Sequence, residues 1–295
     1  MSPGQKRFLI VGANAAGLKA ASKARRRDPH LAVTVVERDA TISFAGCGLP
    51  YYVGGVVTDR EDLIGSLGGA LRTPQWFADF KDITVLTGHE ATRIDREKKT
   101  VAVRTLATQE TREFPYDVLL LATGASAVKL SAPGVDLAGV SYVKRLEDAD
   151  AIKADVDSGV VKRAVVVGGG YIGVEMAEAL VGRGVATTLI EAADQILPPF
   201  DPDIATLVTR HMRAKGVTIH LSEKAERFEG EGGRVRAVVT GRRRLETDLV
   251  VVGVGVRPNV ELARQAGLAL GETGAIAVDD HLCTSDPSIY AAGDV

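Results

Sequence analysis

Ala164-Val165-Val166-Val167 runs straight into Gly168-Gly169-Gly170-Tyr171-Ile172-Gly173, and the residues after it, to about Val181, read as a helix. A continuous apolar run that ends in a glycine turn is the pattern of a parallel strand buried on both faces. Gly168 permits the tight turn, Gly170 lets backbone approach a pyrophosphate, and Gly173 lets helix and strand pack closely. Gly182 and Gly184 break the helix, and a second strand, Ala186 to Ile190, ends at Glu191. An acid at that strand end accepts from both hydroxyls of a ribose, while free N–H groups at the helix N-terminus favour phosphate. Strand, turn, helix and acid together specify a dinucleotide-binding βαβ unit. Its expected contacts are Gly168, Gly170, Tyr171, Ile172, Gly173 and Glu191. Only Ala192 and Ala193 follow the acid. A 2′-phosphate would meet a carboxylate with no cation beside it, so NADH is expected over NADPH.

The same grammar occurs earlier. Phe8-Leu9-Ile10-Val11 leads into Gly12-Ala13-Asn14-Ala15-Ala16-Gly17, then a small-residue helix to Arg27 that Asp28-Pro29 stops, then a strand from Ala32 to Glu37. Asn14 replaces the middle glycine, and Glu37 restores the reading by standing at the corresponding strand end. Arg38 follows it, on the adenosine side of a nucleotide. The two units predict an α/β fold of two Rossmann-like three-layer domains with doubly wound parallel sheets. Other strands are expected at Val101–Leu106, Val118–Leu121, Val217–Leu221, Val235–Thr240 and Leu249–Val254, with hinges near Pro133-Gly134 and Gly271-Glu272.

Composition narrows the function classes. The chain has 295 residues, 45 % apolar and 25 % charged, with net charge -2. That balance argues against a nucleic-acid or membrane-surface partner. The basic triplets Arg25-Arg26-Arg27 and Arg242-Arg243-Arg244 read as solvated faces. No stretch approaches the roughly 18 apolar residues of a membrane span. The apolar run after Met1–Arg7 is too short for a signal-peptide core. Two cysteines, Cys47 and Cys283, make no disulfide framework and fit a reducing cytoplasm.

Cys47 lies between the two units, in Ser43-Phe44-Ala45-Gly46-Cys47-Gly48-Leu49-Pro50-Tyr51-Tyr52. Flanking glycines suggest close approach of backbone to something flat. Leu49-Pro50 reads as the start of a helix, and a cysteine at a helix N-terminus tends towards the nucleophilic thiolate. No second cysteine is near, so its oxidised form would be a sulfenic acid or a mixed disulfide with a small thiol. Cys283 reads as structural. No metal site is expected.

Together these motifs resemble the FAD-dependent pyridine nucleotide-disulfide oxidoreductases, in their single-cysteine class of coenzyme A-disulfide reductases, NADH oxidases and NADH peroxidases. Gly12–Gly17 with Glu37 resembles the FAD adenosine site. Leu121-Ala122-Thr123-Gly124-Ala125 resembles the family's crossover segment. Gly253-Val254-Gly255-Val256-Arg257-Pro258-Asn259 resembles the segment that closes the nicotinamide site. Ile289-Tyr290-Ala291-Ala292-Gly293-Asp294 resembles the segment whose aspartate binds the flavin. The resemblance implies FAD and NADH as cofactors, with Asn14, Ala15, Ala16, Ala122, Thr123, Gly124, Gly255 and Asp294 among their contacts. It implies Tyr171 as a gate over the nicotinamide face, Glu175 near the hydride-transfer point and Cys47 as the redox centre.

Within the class, the segment around Cys47 looks most like coenzyme A-disulfide reductases. Ala15 stands where oxidases and peroxidases carry a histidine. Lys23, Arg26 and Ser43 fall at positions that contact coenzyme A. The resemblance thus implies reduction of CoA disulfide, or a related persulfide or polysulfide, with NADH. Oxidase or peroxidase chemistry through a Cys47 sulfenic acid, and electron transfer from NADH to a ferredoxin-type partner, are the alternatives. The expected division is 1–145 for FAD, 146–271 for NADH and 272–295 for a shortened second FAD segment. The C-terminal interface domain through which relatives form homodimers is expected to be absent.

Overall fold

The computed structural model describes residues 5–66 and 68–295; the Met1–Gly4 lead-in discussed above lies outside them. The chain forms two compact units. One comprises the residues up to Ala45, Ile64–Ser126 and Arg257–Val295; the other comprises Gly46–Leu63 and Ala127–Val256.

The first unit is built on a five-stranded sheet in the order Ile289–Ala291, Val118–Leu121, Arg7–Val11, Ala32–Val36, Thr84–Leu86. Every pair in it is parallel. From Phe8 to Val11 the central strand is apolar because both its faces are covered. Leu9 and Val11 face one way, onto Ile94, Val101 and Val103 of an antiparallel three-stranded sheet. Ile10 faces the other way, among Leu18 and Ala21 of the helix Ala15–Arg27. Each such aliphatic side chain contributes roughly 1.5–3 kcal/mol by leaving water. The basic triplet Arg25–Arg27 occupies the last turn of that helix, where cations oppose the negative end of its dipole.

The second unit repeats this plan. Its parallel sheet runs Thr218–His220, Ala186–Ile190, Arg163–Val167, Leu249–Val252, Val140–Tyr142. Val165, Val167, Val250 and Val252 pack against Phe228, Val235 and Val238 of a second antiparallel three-stranded sheet. The helix Tyr171–Gly182 buries Met176, Ala177 and Leu180 as it packs on the central strands.

The boundaries differ from those expected. The chain enters the second unit after Ser126, not after residue 145, because Val140–Tyr142 pairs with Leu249–Val252 at the sheet edge. It returns at Arg257, not after residue 271, because Ala263 and Leu268 belong to the core of the first unit. The Cys47 segment also belongs to the second unit. Its helix, Leu49–Val53, packs on the helices Leu146–Asp157 and Tyr171–Gly182. Polar contacts fasten it there. Arg60 Nε lies 2.9 Å from Asp150, and Arg183 donates to the Val53 carbonyl at 3.3 Å. Burial, reinforced by a hydrogen bond to Asp150, pushes the Tyr52 phenol up.

Gly168 tests the turn. It has φ +108°, and an added Cβ would lie 2.4 Å from the Gly253 carbonyl oxygen. Gly168→Ala is expected to cost about 3 kcal/mol. A Cβ at Gly170 would meet nothing within 4 Å, so Gly170→Ala should stay within about 1 kcal/mol of the parent. Thermal unfolding followed by circular dichroism compares them; equal melting temperatures would refute the strained-turn account.

Candidate functional site

The two glycine turns are closed by the same hydrogen bonds. In the second unit Glu191 leaves the end of Ala186–Ile190 and accepts from the N–H of Gly169 at 2.5 Å and of Ala193 at 2.7 Å. In the first, Glu37 accepts from the N–H of Ala13 at 2.7 Å and of Asp39 at 3.0 Å. Gly168 N–H donates to Ile190, and Gly12 N–H to Val36, each at 2.9 Å. Leu197 and Ser43, both at positive φ, donate their N–H groups to the carbonyls of Gly169 and Ala13. Cβ atoms on Gly173 and Gly17 would sit 1.9 Å from the carbonyl oxygens of Gly168 and Gly12. That close approach sets each helix directly behind its turn.

The N-terminus of each helix carries no side-chain cap. Gly170 caps the second helix without any side chain, and Asn14 caps the first without a side-chain hydrogen bond. The first-turn N–H groups there have no partner within the helix. Asn14 Oδ1 is buried and has no hydrogen-bond partner among the described residues. Ala15 and Ala16 open the first helix, and the Ala16 methyl lies 3.2 Å from where a Cβ of Gly293 would stand. This brings exposed Asp294 near the first turn.

The crossover segment is locked by Asn259. Thr123 Oγ1 donates to the Asn259 carbonyl at 2.7 Å, Asn259 Nδ2 returns a bond to the Thr123 carbonyl at 2.8 Å, and Asn259 N–H donates to Gly124 at 2.9 Å. Asn259 thus holds Thr123-Gly124 in the first unit. Ala122 carries the carbonyl that a Cβ of Gly12 would strike at 2.0 Å.

Beside the second turn lies a cavity of about 670 Å³, lined by Gly168, Gly170, Tyr171, Ile172, Glu191 and the segment Gly253–Val256 among others. The strand expected to reach Val254 stops at Val252, which frees Gly255 (φ +107°) to form this wall. Tyr171 is 57 % exposed, and its ring meets Phe200 edge-on at 6.1 Å between centroids. Glu175, one turn further along the helix, is not on the cavity wall. Burial pushes its carboxyl up, and the neighbouring Glu178 adds to this. Glu223 and Lys224 also line the cavity. Arg243 is exposed, as expected of its triplet, and its Nε lies 2.8 Å from buried Glu223.

The remaining expected residues fall in both units. Arg38 sits 3.6 Å from Asp39. Lys23 and Arg26 share the exposed side of the first helix, whereas Ser43 is buried behind the first turn. Cys47 is exposed, in the short 3-10 turn Gly46–Gly48 that precedes Leu49–Val53. It therefore stands ahead of the N-cap Gly48, not within the helix. Cys283 is half-buried, and its N–H donates to Asp279 at 2.9 Å. Among the described residues there is no group of three or more metal-ligating side chains, and no helix is long and apolar enough to cross a membrane.

Residues 6–295 match the family of pyridine nucleotide-disulphide oxidoreductases, and the chain belongs to that family. It is 36 % identical to an NADH oxidase of Methanocaldococcus jannaschii over 98 % of this chain and 62 % of that protein. It is 34 % identical to a coenzyme A disulfide reductase of Staphylococcus haemolyticus over 98 % of this chain and 63 % of the relative. Among solved structures, an NAD-dependent persulfide reductase from A. fulgidus matches with a TM-score of 0.94 and 42 % identity, over 98 % of this chain and 53 % of that one. The chain thus spans less than two thirds of the length of these relatives.

Glu175 gives a test of its burial. Its ionisation is held above the ordinary 4.5 in the folded chain. Folding therefore favours the neutral form, and stability is lost as pH rises from the unfolded value through the folded one. Glu175→Gln should raise the melting temperature at pH 8 and leave it nearly unchanged at pH 4. A lower melting temperature at pH 8 would mean that the carboxylate is stabilised by a partner.

Proposed function

We propose that the protein is an FAD-dependent enzyme that uses NADH to reduce CoA disulfide, or a related persulfide or polysulfide, through Cys47. The observation that carries this reading is an exposed thiol in a glycine-flanked turn, in a chain with two carboxylate-closed nucleotide turns. The similarity to a coenzyme A disulfide reductase and a persulfide reductase supports the same class of substrate.

Each turn suits its proposed nucleotide. The first would hold FAD, with Gly12 to Gly17 at the pyrophosphate, Glu37 and Arg38 on the adenosine side, and Ala122, Thr123, Gly124 and Asp294 along the remainder. One feature of the first unit favours a ligand there: the Oδ1 of the N-cap Asn14 is buried and makes neither a cap bond nor any other hydrogen bond among the described residues. The second would hold NADH, with its pyrophosphate over Gly170, where a Cβ would meet open space, and its ribose on Glu191. With Ala192 and Ala193 beside that acid, a 2′-phosphate would face uncompensated negative charge. Flavin, when bound, supplies the two-electron step between nicotinamide and sulfur.

The protein residues would then act as follows. Tyr171, at the cavity wall, shields the nicotinamide side until NADH enters. Glu175 sits behind it as a carboxyl favoured in its neutral form. Lys23 and Arg26 offer charge to the phosphates of coenzyme A, with Ser43 nearby in sequence to the thiol. The Cys47 thiolate attacks one sulfur of the disulfide; the S–S bond breaks, and one CoA thiolate leaves and takes a proton. Two electrons from NADH then cleave the Cys47–CoA mixed disulfide and release the second CoA thiol. The net change is one disulfide, one NADH and one proton to two thiols and NAD⁺. A homodimeric, cytoplasmic protein belongs to this reading.

A second reading, NADH oxidation through a Cys47 sulfenic acid, is favoured by the similarity to an NADH oxidase. Ala15, where that class carries a histidine, weighs against it. Cys47→Ser separates thiol chemistry from flavin chemistry. The variant is expected to lose CoA disulfide reduction by at least about 1000-fold while NADH still bleaches the flavin at close to the parent rate. Disulfide reduction at the parental rate would end the proposal.

A further inference from the structure

We propose that Glu223 reads the base of the nicotinamide dinucleotide by accepting a hydrogen bond from the 6-amino group of adenine. The inference rests on assigning the second cavity to NADH. Glu223 follows the strand Thr218–His220, and its N–H donates to the Glu191 carbonyl at 2.9 Å. The two acids therefore stand side by side at the carboxyl edge of the sheet, and both line the cavity. If Glu191 takes the ribose, the attached base falls to the residues next to it.

The Glu223 side chain is 2 % exposed. Its Oε1 accepts from the Thr240 hydroxyl at 2.6 Å and lies 2.8 Å from Arg243 Nε. Its Oε2 is buried and has no hydrogen-bond partner among the described residues. A buried carboxylate oxygen left without a donor is costly, and one donor would remove the cost. Thr240 and Arg243 occupy the other oxygen and position the carboxylate; they leave Oε2 for a donor that the described residues do not supply. The 6-amino group of adenine is such a donor, whereas the ribose hydroxyls are claimed by Glu191. Ala225, Val128 and Leu130 give the same cavity an apolar wall suited to a flat ring. A hypoxanthine base carries a carbonyl in place of the amine. It would present an acceptor to an acceptor, and a site built for a donor rejects such an analogue strongly.

The test is a calorimetric titration of the FAD-loaded protein with NAD⁺ and with its hypoxanthine analogue, for the parent and for Glu223→Gln. The parent should bind NAD⁺ about tenfold or more tightly than the analogue. Glu223→Gln, whose amide can accept or donate, should bring the two within about threefold of each other. Equal affinities in the parent would overturn the role of Glu223 while leaving the NADH site in place. A discrimination that persists in Glu223→Gln would overturn it as well. Failure of both nucleotides to bind would remove the cavity assignment, and this inference with it. Should Glu223→Gln not fold, the comparison within the parent still decides the matter.

Discussion

A carboxylate at the end of one strand, accepting backbone N–H groups from a glycine turn at the end of its neighbour, is the interaction on which both halves of this protein depend. The turn needs a glycine at positive φ because a Cβ at Gly12 or Gly168 would overlap the carbonyl of the adjacent strand. The turn also leaves amide groups that a hydrophobic core cannot satisfy. Glu37 and Glu191 accept one N–H from each turn and a second from the residues just beyond themselves. Each acid therefore ties two loops together at the carboxyl edge of its sheet. That edge is where an open α/β sheet binds ligands, at the point where strand order reverses.

The rest of each unit serves this edge. The parallel strands are buried on both faces, one by helices and one by a three-stranded antiparallel sheet, so the strand ends are held in fixed register. The close approach of Gly17 to Gly12, and of Gly173 to Gly168, brings a helix N-terminus up behind each turn. In the second unit the early end of Leu249–Val252 and the loop carrying Leu197 complete the walls of a cavity. The redox segment is mounted differently. Cys47 precedes a short helix whose Tyr52 and Val53, with Arg60 further along the same segment, are fastened to the helices of the second unit through Asp150 and Arg183. A thiol borne on so short an element depends on these polar contacts for its position more than on the element itself.

The parts of this arrangement governed by local rules were legible in the chain. Apolar runs ending in glycine placed Phe8–Val11 and Ala164–Val167, one residue short of each strand, because past its first arginine a doubly buried strand has no polar position to blur its pattern. Glu37 and Glu191 were found by their place at strand ends. What escaped was set by contacts distant in sequence. The unit boundaries depend on which edge strand Val140–Tyr142 joins and on where Ala263 is buried, and neither leaves a mark in composition. Asn259 was read with the glycines it follows, although its amide bonds to Thr123, distant in sequence but within the first unit. Arg243 sits in a basic triplet that is exposed as expected, and its ion pair with Glu223 is visible only in the fold.

The central claim is that one device, used twice, serves two different nucleotides. It is tested most directly by dialysing the FAD-loaded protein against saturating NAD⁺ and measuring the flavin retained by its visible absorbance. The account predicts one FAD kept per chain with one NAD⁺ bound beside it. Loss of flavin in proportion to the NAD⁺ taken up would show that the two compete for a single site, and would contradict it.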